Sequence, residues 1–474
     1  MVAGVFEVEK ALSPPAITMV GNPQFSYFSF VYRKPTKFAT QFVSVPFDTA
    51  SGTALPYYGT KTLTVNSLSR VGDLLLGAHL YFELPDVYAD DTTRFQWVDK
   101  VGTTLVQEVR VSVGGQLIER IPGEWIDVWS ELTHTPAQRA TLDRLTGNVS
   151  FLKAPVSRTN AISVRNNEFI YATYPVGDRA SGQPSIRGRK VYVPLPVWFS
   201  RTPGHALPLI ALQGAPVKIE IDVRPWSQLY RLWDQFTEAY YAPERYPVGR
   251  ESADGMYRNT AAPQLYAFME APDPSRSAVD LRAHLECEFG FLGVGERNAV
   301  AATSRDTLIE TVVSTRMTGL LGGTGTVSVP LPFNEPTKEL VWILRREDAI
   351  ANNDVTNLTA AMPPSDDAPA LQSATLFLNS QERMDYKDAA FFDALQPLLY
   401  HAGSPRSGVH VWSFALTPEK MTPSGFLDLA SFKTAELRLN LSPLPDGGTY
   451  RLDVFATTLN FLTVINGSAN KKYV

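Results

Sequence analysis

The chain has 474 residues, with 43 Lys and Arg against 48 Asp and Glu and a formal net charge of −5. Without a basic excess or a long basic run, it carries no electrostatic footprint for direct genome binding. Charged residues make up only 19 %, beside 25 Phe and 8 Trp, a balance that suits a protein hiding much surface in cores or against neighbours. No run of about 18 apolar residues is available to cross a membrane as a helix. The opening residues lack the basic n-region and long apolar core of a secretory signal, and Val2 after Met1 leaves no myristoylation start. Cys287 is the single cysteine, so no intrachain disulfide forms, which fits a reducing compartment.

Residues 1–24 read as a tail broken by Ser13-Pro14-Pro15. Phe25 to Phe47 is aromatic and strand-prone, and shorter strands follow at 62–65 and at 74–84, the latter ending on Pro85. From Leu105 to Val113, Leu105, Val109, Val111 and Val113 share one side, with Gln107 the polar exception. Gly114-Gly115 then predicts a tight hairpin turn into Gln116 to Glu119. Trp125, Val128, Trp129 and Leu132 recur at three-and-four spacing, predicting a helix over 124–132. Thr135-Pro136 supplies the N-cap and first turn of a second helix over 137–145, closed by Gly147. Residues 150–189 read as a long polar loop.

The stretch Lys190 to Arg224 holds two strand-like runs around a Pro-rich bend. Pro194 and Pro196 place the first run at a strand end or sheet edge. In the second, Val217, Ile219, Ile221 and Val223 oppose Lys218, Glu220, Asp222 and Arg224, the mark of a strand with one buried face. Composition shifts at Trp226, and the strand pattern restarts near Val279. Leu285, Cys287 and Phe289 alternate with His284, Glu286 and Glu288, and further strands are predicted at 307–315, 326–331, 340–344, 374–378, 409–416, 435–441 and 452–464. The expected organisation is a tail (1–24), a first β domain (25–225), a linker and inter-domain segment (226–274) and a second β domain (275–474). Two stretches of short strands with few helices make an all-β protein. Alternation alone does not choose between sandwich, barrel and jelly roll.

Ordered short motifs make that choice. Leu195-Pro196, Trp198-Phe199, Arg201 to Gly204 and Ala206 to Leu212 resemble the first-jelly-roll signature of the major capsid proteins of large nucleocytoplasmic DNA viruses. The resemblance extends over nearly the whole chain. It runs through Gly21-Asn22-Pro23-Gln24, Gly72-Asp73-Leu74-Leu75, Gly114 to Ile118, Trp125 and Trp129 in the first half. In the second it runs through Glu296-Arg297, Phe333-Asn334, Pro336 to Leu340, Trp342, His401, Ser413 to Leu416 and Pro423-Ser424-Gly425. Pro35 stands where the family more often has histidine. The resemblance implies two tandem antiparallel jelly rolls of eight strands each, with a few short helices in loops. It implies a homotrimeric, pseudo-hexagonal capsomer tiling an icosahedral shell above an internal viral membrane. Its expected partners are neighbouring capsomers and minor capsid and penton proteins, in the virion after assembly in the host cytoplasm.

Chemistry-bearing residues are sparse. His284 and Cys287 fall on opposite faces of a strand, which speaks for a buried thiol rather than a nucleophile pair. His79, His134, His205, His401 and His410 are scattered without the pairing that cupin-type metal binding needs. Gly322 to Gly325 lacks the lysine of a phosphate loop, and no nucleophile elbow occurs. No catalytic, metal or cofactor residue is expected. Asn357, Asn148, Asn440 and Asn466 fit the glycosylation sequon, with Asn357 placed in an exposed loop over 349–372 and bare asparagine preferred at all four. Trp226, Tyr230, Trp233, Phe236 and Tyr240 have helix-compatible spacing and are expected to pack between the domains or at a trimer seam. The competing functions are a jelly-roll carbohydrate binder or vertex spike, and a cupin-like metal enzyme.

Overall fold

Period-two alternation in the sequence becomes two pairs of facing sheets. The computed structural model describes residues 37–49, 52–155, 174–249, 262–273, 276–302, 304–323, 325–465 and 467–472. The expected tail, residues 25–36 of the opening strand and Asn466 lie outside them. In the first half the principal strands are β1 (Phe38–Pro46), β3 (Lys61–Val65), β4 (Leu74–Leu84), β6 (Val106–Val113), β7 (Gln116–Pro122), β8 (Arg189–Pro194), β9 (Val217–Val223) and β13 (His284–Leu292). They hydrogen-bond in the orders β1-β13-β4-β8 and β3-β9-β6-β7. Short β2 (Ala54–Pro56) and β12 (Ala278–Asp280) pair with each other, while β5 (Phe95–Trp97), β10 (Tyr230–Asp234) and β11 (Ala239–Tyr241) form a side sheet.

The second half repeats this plan with β14 (Arg305–Leu321), β15 (Thr326–Pro330), β16 (Pro336–Arg346), β17 (Leu371–Leu378), β18 (Gln381–Glu382), β20 (Val409–Ser413), β22 (Ala435–Leu441) and β23 (Thr449–Ile465). Their orders are β14-β23-β16-β20 and β15-β22-β17-β18, with β19 (Lys387–Asp388), β21 (Leu427–Asp428) and β24 (Ser468–Lys471) appended. Counted along the chain within each half, both sheet pairs read 1-8-3-6 against 2-7-4-5. That interleaving is the jelly roll. The chain is thus all-β, two jelly rolls in tandem with short helices in the connections.

Sheet pairing corrects two sequence expectations. The alternation that restarts near 279 reads as the opening of the second domain. In fact β13 lies between β1 and β4, and β12 pairs with β2. The first jelly roll therefore closes at Leu292, and the second opens with β14 after the helix Val294–Ala302. The expected helical spacing from Trp226 to Tyr240 gives a 3-10 turn at Trp226–Gln228 and a β10–β11 hairpin whose β10 pairs with β5. Local periodicity carries no information on which distant strand will satisfy a segment's backbone groups, and here that partner decides.

The helices form as their termini dictate. α1 (Val101–Leu105) and α2 (Gly123–Thr133) sit in the first jelly roll, and α3 (Pro136–Thr146) follows directly. The Thr135 hydroxyl accepts from the Gln138 N–H, the Gln138 side chain returns to the Thr135 N–H, and Gly147 ends the helix at φ 81°. Gly114 and Gly115, at φ 59° and 85°, make the predicted hairpin turn between β6 and β7.

Two apolar cores result. One lies between the sheets of the second jelly roll and takes Leu340, Trp342 and Leu344 from β16 and Leu452, Val454 and Ala456 from β23. The alternate residues Val341, Ile343 and Phe455 belong instead to the core of the first jelly roll. The sheet β14-β23-β16-β20 is therefore covered on both faces, which is why 340–344 is a continuous apolar run rather than an alternating one.

His410 on β20 is buried in this region, stacked on Trp342 with ring centroids 5.6 Å apart. Neither ring nitrogen has a hydrogen-bond partner among the described residues, and burial pulls its pKa down to about 3. Its folded pKa lies below the unfolded value, so the stability tied to its neutral form is present above about pH 6.5 and drains away as pH falls. We predict that His410→Phe is neutral or stabilising at pH 7 and that its advantage over the wild type grows between pH 7 and 5. Urea midpoints across that range check this; a midpoint lowered by the substitution at both ends would contradict it.

Candidate functional site at the junction of the two jelly rolls

While β14 and β24 lie against β7 of the first jelly roll, the outer face of β16 and β23 meets α2. Its apolar centre includes Trp125 of α2 against Phe455 of β23, with ring centroids 5.3 Å apart. Gly123 lets α2 start tight against β6 of its own jelly roll: a Cβ there would meet the Val106 carbonyl oxygen at 1.9 Å. Gly403, in the second jelly roll, plays the same part at the other end of α2. Its N–H donates to the Leu132 carbonyl at 2.7 Å, and a Cβ would meet the Glu131 carbonyl oxygen at 2.2 Å.

Ion pairs ring this centre. Glu124, in the first turn of α2 where a negative charge suits the helix N-terminus, faces Arg224 at 2.9 Å from its own jelly roll. From the other it faces Arg451 at 2.8 Å, Arg345 at 3.2 Å and Arg316 at 3.3 Å. Asp453 joins Arg345 at 2.5 Å and Arg451 at 3.2 Å, and also contacts Arg316. Burial alone raises the pKa of Glu124, yet Arg345, Arg224, Arg451 and Arg316 outweigh it and hold the carboxyl far below the usual range. Further along α2, Lys100 sits 2.5 Å from both Asp127 and Glu131, and Arg406 of the second jelly roll reaches Asp127 at 2.7 Å.

Two more links cross the junction. Arg201 meets the fully buried Glu310 of β14 at 2.6 Å, and Glu310 meets the fully buried Lys338 of β16 at 2.8 Å. Lys338 donates onward to the Lys420 carbonyl at 2.9 Å. Behind it, His401 lies between Glu339 at 3.0 Å and Glu419 at 3.2 Å. Burial pulls the imidazole pKa down, but the two carboxylates prevail and lift it to about 9. At the far edge, Asn352 donates to the Tyr240 carbonyl and accepts from the Ala242 N–H, while Asn353 donates to the carbonyls of Ser227 and Tyr230.

This places the aromatic residues singled out in the sequence. Trp226 and Tyr230 are buried in the first core, whereas Trp233 and Phe236 are half-buried in the β10–β11 hairpin. Asn352 and Asn353 tie the backbone of this segment to the second jelly roll. Among the sequons, Asn357 corrects the exposed-loop expectation: it is buried, accepting from Thr359 and donating to the Ala361 carbonyl. Residues 352–354 and 357–359 are buried and Leu358 joins the first core, so the exposed residues of that loop are 351, 362–364, 366–367, 369 and 372. Asn148 is half-buried between Asp143 and Lys153, and Asn440 between Ser373 and Thr326. Cys287 is buried, and burial pushes its thiol pKa to about 12; His284 stacks on Tyr81 on the opposite face. Among the described residues no group of three or more His, Cys, Asp or Glu is placed to hold a metal ion.

Sequence reasoning did not find the ionic junction. Its members are separated by up to 353 positions, from Lys100 to Asp453, and singly each reads as a solvated charge. The uninterrupted apolar run of β16, closed by Arg345 and Arg346, was the available sign that charges there are buried. We predict that Glu124→Ala destabilises the chain by about 3–5 kcal/mol, because it strands buried guanidiniums without a counter-charge. A urea unfolding series reads this directly, and a loss under about 1 kcal/mol would contradict it.

Comparison with known proteins places this architecture. Residues 26–245 match the family described as major capsid protein N-terminus, and residues 296–470 match the large eukaryotic DNA virus major capsid protein family. The chain is 25 % identical to the major capsid protein of Phaeocystis pouchetii virus, over 96 % of this chain and 97 % of that one. It is 27 % identical to that of Pyramimonas orientalis virus, over 96 % of each. Among solved structures, a quasi-atomic model of the PBCV-1 virus capsid superposes with a TM-score of 0.65 at 21 % identity, over 95 % of this chain and all of that one. The Faustovirus major capsid protein superposes at 0.67 and 12 % identity, over 93 % of each. The gap between the two matched regions, 246–295, spans the point where β13 closes the first jelly roll. With both halves matched in order and both folded as jelly rolls, the chain belongs to the major capsid protein family of the large eukaryotic DNA viruses.

Proposed function

We propose that the protein acts as the repeating building block of an icosahedral shell, a homotrimer with a pseudo-hexagonal outline, rather than as an enzyme. The observation that carries this reading is the repeated sheet order. Two jelly rolls with the same 1-8-3-6 and 2-7-4-5 paths make each chain two near-equivalent wedges. Three chains then supply six, and closed three-fold symmetry makes the trimer a definite particle rather than an open polymer. The junction supports it, since wedges that swivel would not hold a lattice angle.

The surface supports it too. Leu395, Leu398 and Leu399 project into solvent from the helical stretch Phe391–Tyr400, and Leu416 and Phe426 are exposed nearby in sequence. Large exposed apolar side chains on one segment suit a face covered by a neighbour. In this reading the protein resides in the virion after assembly in the host cytoplasm. The trimers abut one another and the minor capsid and penton proteins, above an internal membrane and without direct genome contact.

Light scattering on the purified protein tests the proposal. A trimer of 52.3 kDa chains has a mass of about 157 kDa, and that value, unchanged by chelator, is the expected result. A stable monomer retained on a sugar column would favour the carbohydrate-binding alternative instead.

A further inference from the structure

The junction holds more positive than negative charge, and its centre at Arg345 and Arg224 is largely buried while Arg316 and Arg406 at its rim reach solvent. A cavity of about 40 Å³ is lined on its basic side by Lys100, Arg224, Arg345 and Arg406 and on its acidic side by Glu124 and Asp127. Four cations thus face two carboxylates. The rest of the network does not correct the imbalance: Arg316 and Arg451 are matched in number by Glu131 and Asp453, and Arg139, 3.9 Å from Glu131, only adds to it. An uncompensated charge in such a place costs several kcal/mol, and proteins leave few of them.

Two guanidiniums are also incompletely used. Arg224 and Arg345 each give a terminal nitrogen to Glu124, but their Nε–H groups are buried and have no hydrogen-bond partner among the described residues. The Arg345 side chain is only 4 % exposed, so bulk solvent does not satisfy it. The hydroxyls that line the cavity are engaged elsewhere: Thr103 donates to the Lys100 carbonyl, and Thr104 and Thr356 donate to Asp99.

We propose that this cavity binds a small inorganic anion of the halide class, held by the Nε–H groups of Arg224 and Arg345 beside Lys100 and Arg406. Water alone would fill the donors' valence and leave the charge. A halide does both, and the volume suits one halide with a water or two while being too small for a nucleotide or a sugar. The anion is then a structural component that lets both jelly rolls bring arginines to one point.

Diffraction from crystals of the full chain grown with bromide in place of chloride tests this at the bromine edge. The expected result is an anomalous peak within hydrogen-bonding reach of both Nε atoms. In solution, at pH 7 and fixed ionic strength, replacing gluconate with chloride is expected to raise the thermal midpoint. For a chain of this size the rise should be about 1–2 °C per tenfold chloride above its dissociation constant. A cavity without an anomalous peak overturns the proposal whatever the melting data show, and so does a peak accompanied by identical midpoints in the two salts.

Discussion

A carboxylate at the first turn of one helix holds the two halves of this chain together. Glu124 belongs to the first jelly roll, and three of the four arginines around it belong to the second. The net worth of such a buried cluster, measured against an apolar replacement, is small. Its effect on separation is not. Parting the jelly rolls strands charges on both sides at once, so the intact junction is favoured by the cost of every alternative. The apolar centre around Trp125 and Phe455 supplies attraction, and the ionic ring supplies register, since Glu124, Asp127 and Glu310 each meet a cation from the opposite jelly roll.

The same constraint explains the sheet that forms the junction. β16 and β23 alternate toward two different interiors, Trp342 and Val454 to the second core and Ile343 and Phe455 to the first. A sheet buried on both faces cannot slip by one residue without exchanging the contents of two cores. Register within the strands and orientation between the jelly rolls are therefore set by the same residues. Two domains on one chain are thereby held at one angle.

Much of this was legible in the sequence where the cause is local. Residues 217–223 alternate and form a strand with those residues, and Thr135, Pro136 and Gly147 mark the ends of a helix because capping needs no distant partner. Legibility fails where the cause is remote. The strand at 284–292 looks like a beginning and is an end, because β4 is its neighbour. The aromatic spacing from Trp226 to Tyr240 imitates a helix and forms a hairpin, because β5 offers its edge. Asn357 has an exposed-loop composition around it and is buried, because its amide closes a turn against Thr359 and Ala361. The ionic junction joins residues hundreds of positions apart, and no spacing rule reaches that far.

Calorimetric unfolding of the intact protein tests the central claim, that two jelly rolls behave as one body. A single transition whose calorimetric and van't Hoff enthalpies agree is expected, because neither half opens without stranding the charges of the other. Two resolved transitions, or a van't Hoff enthalpy near half the calorimetric value, would mean that the jelly rolls fold independently and that the buried ions are incidental to their union.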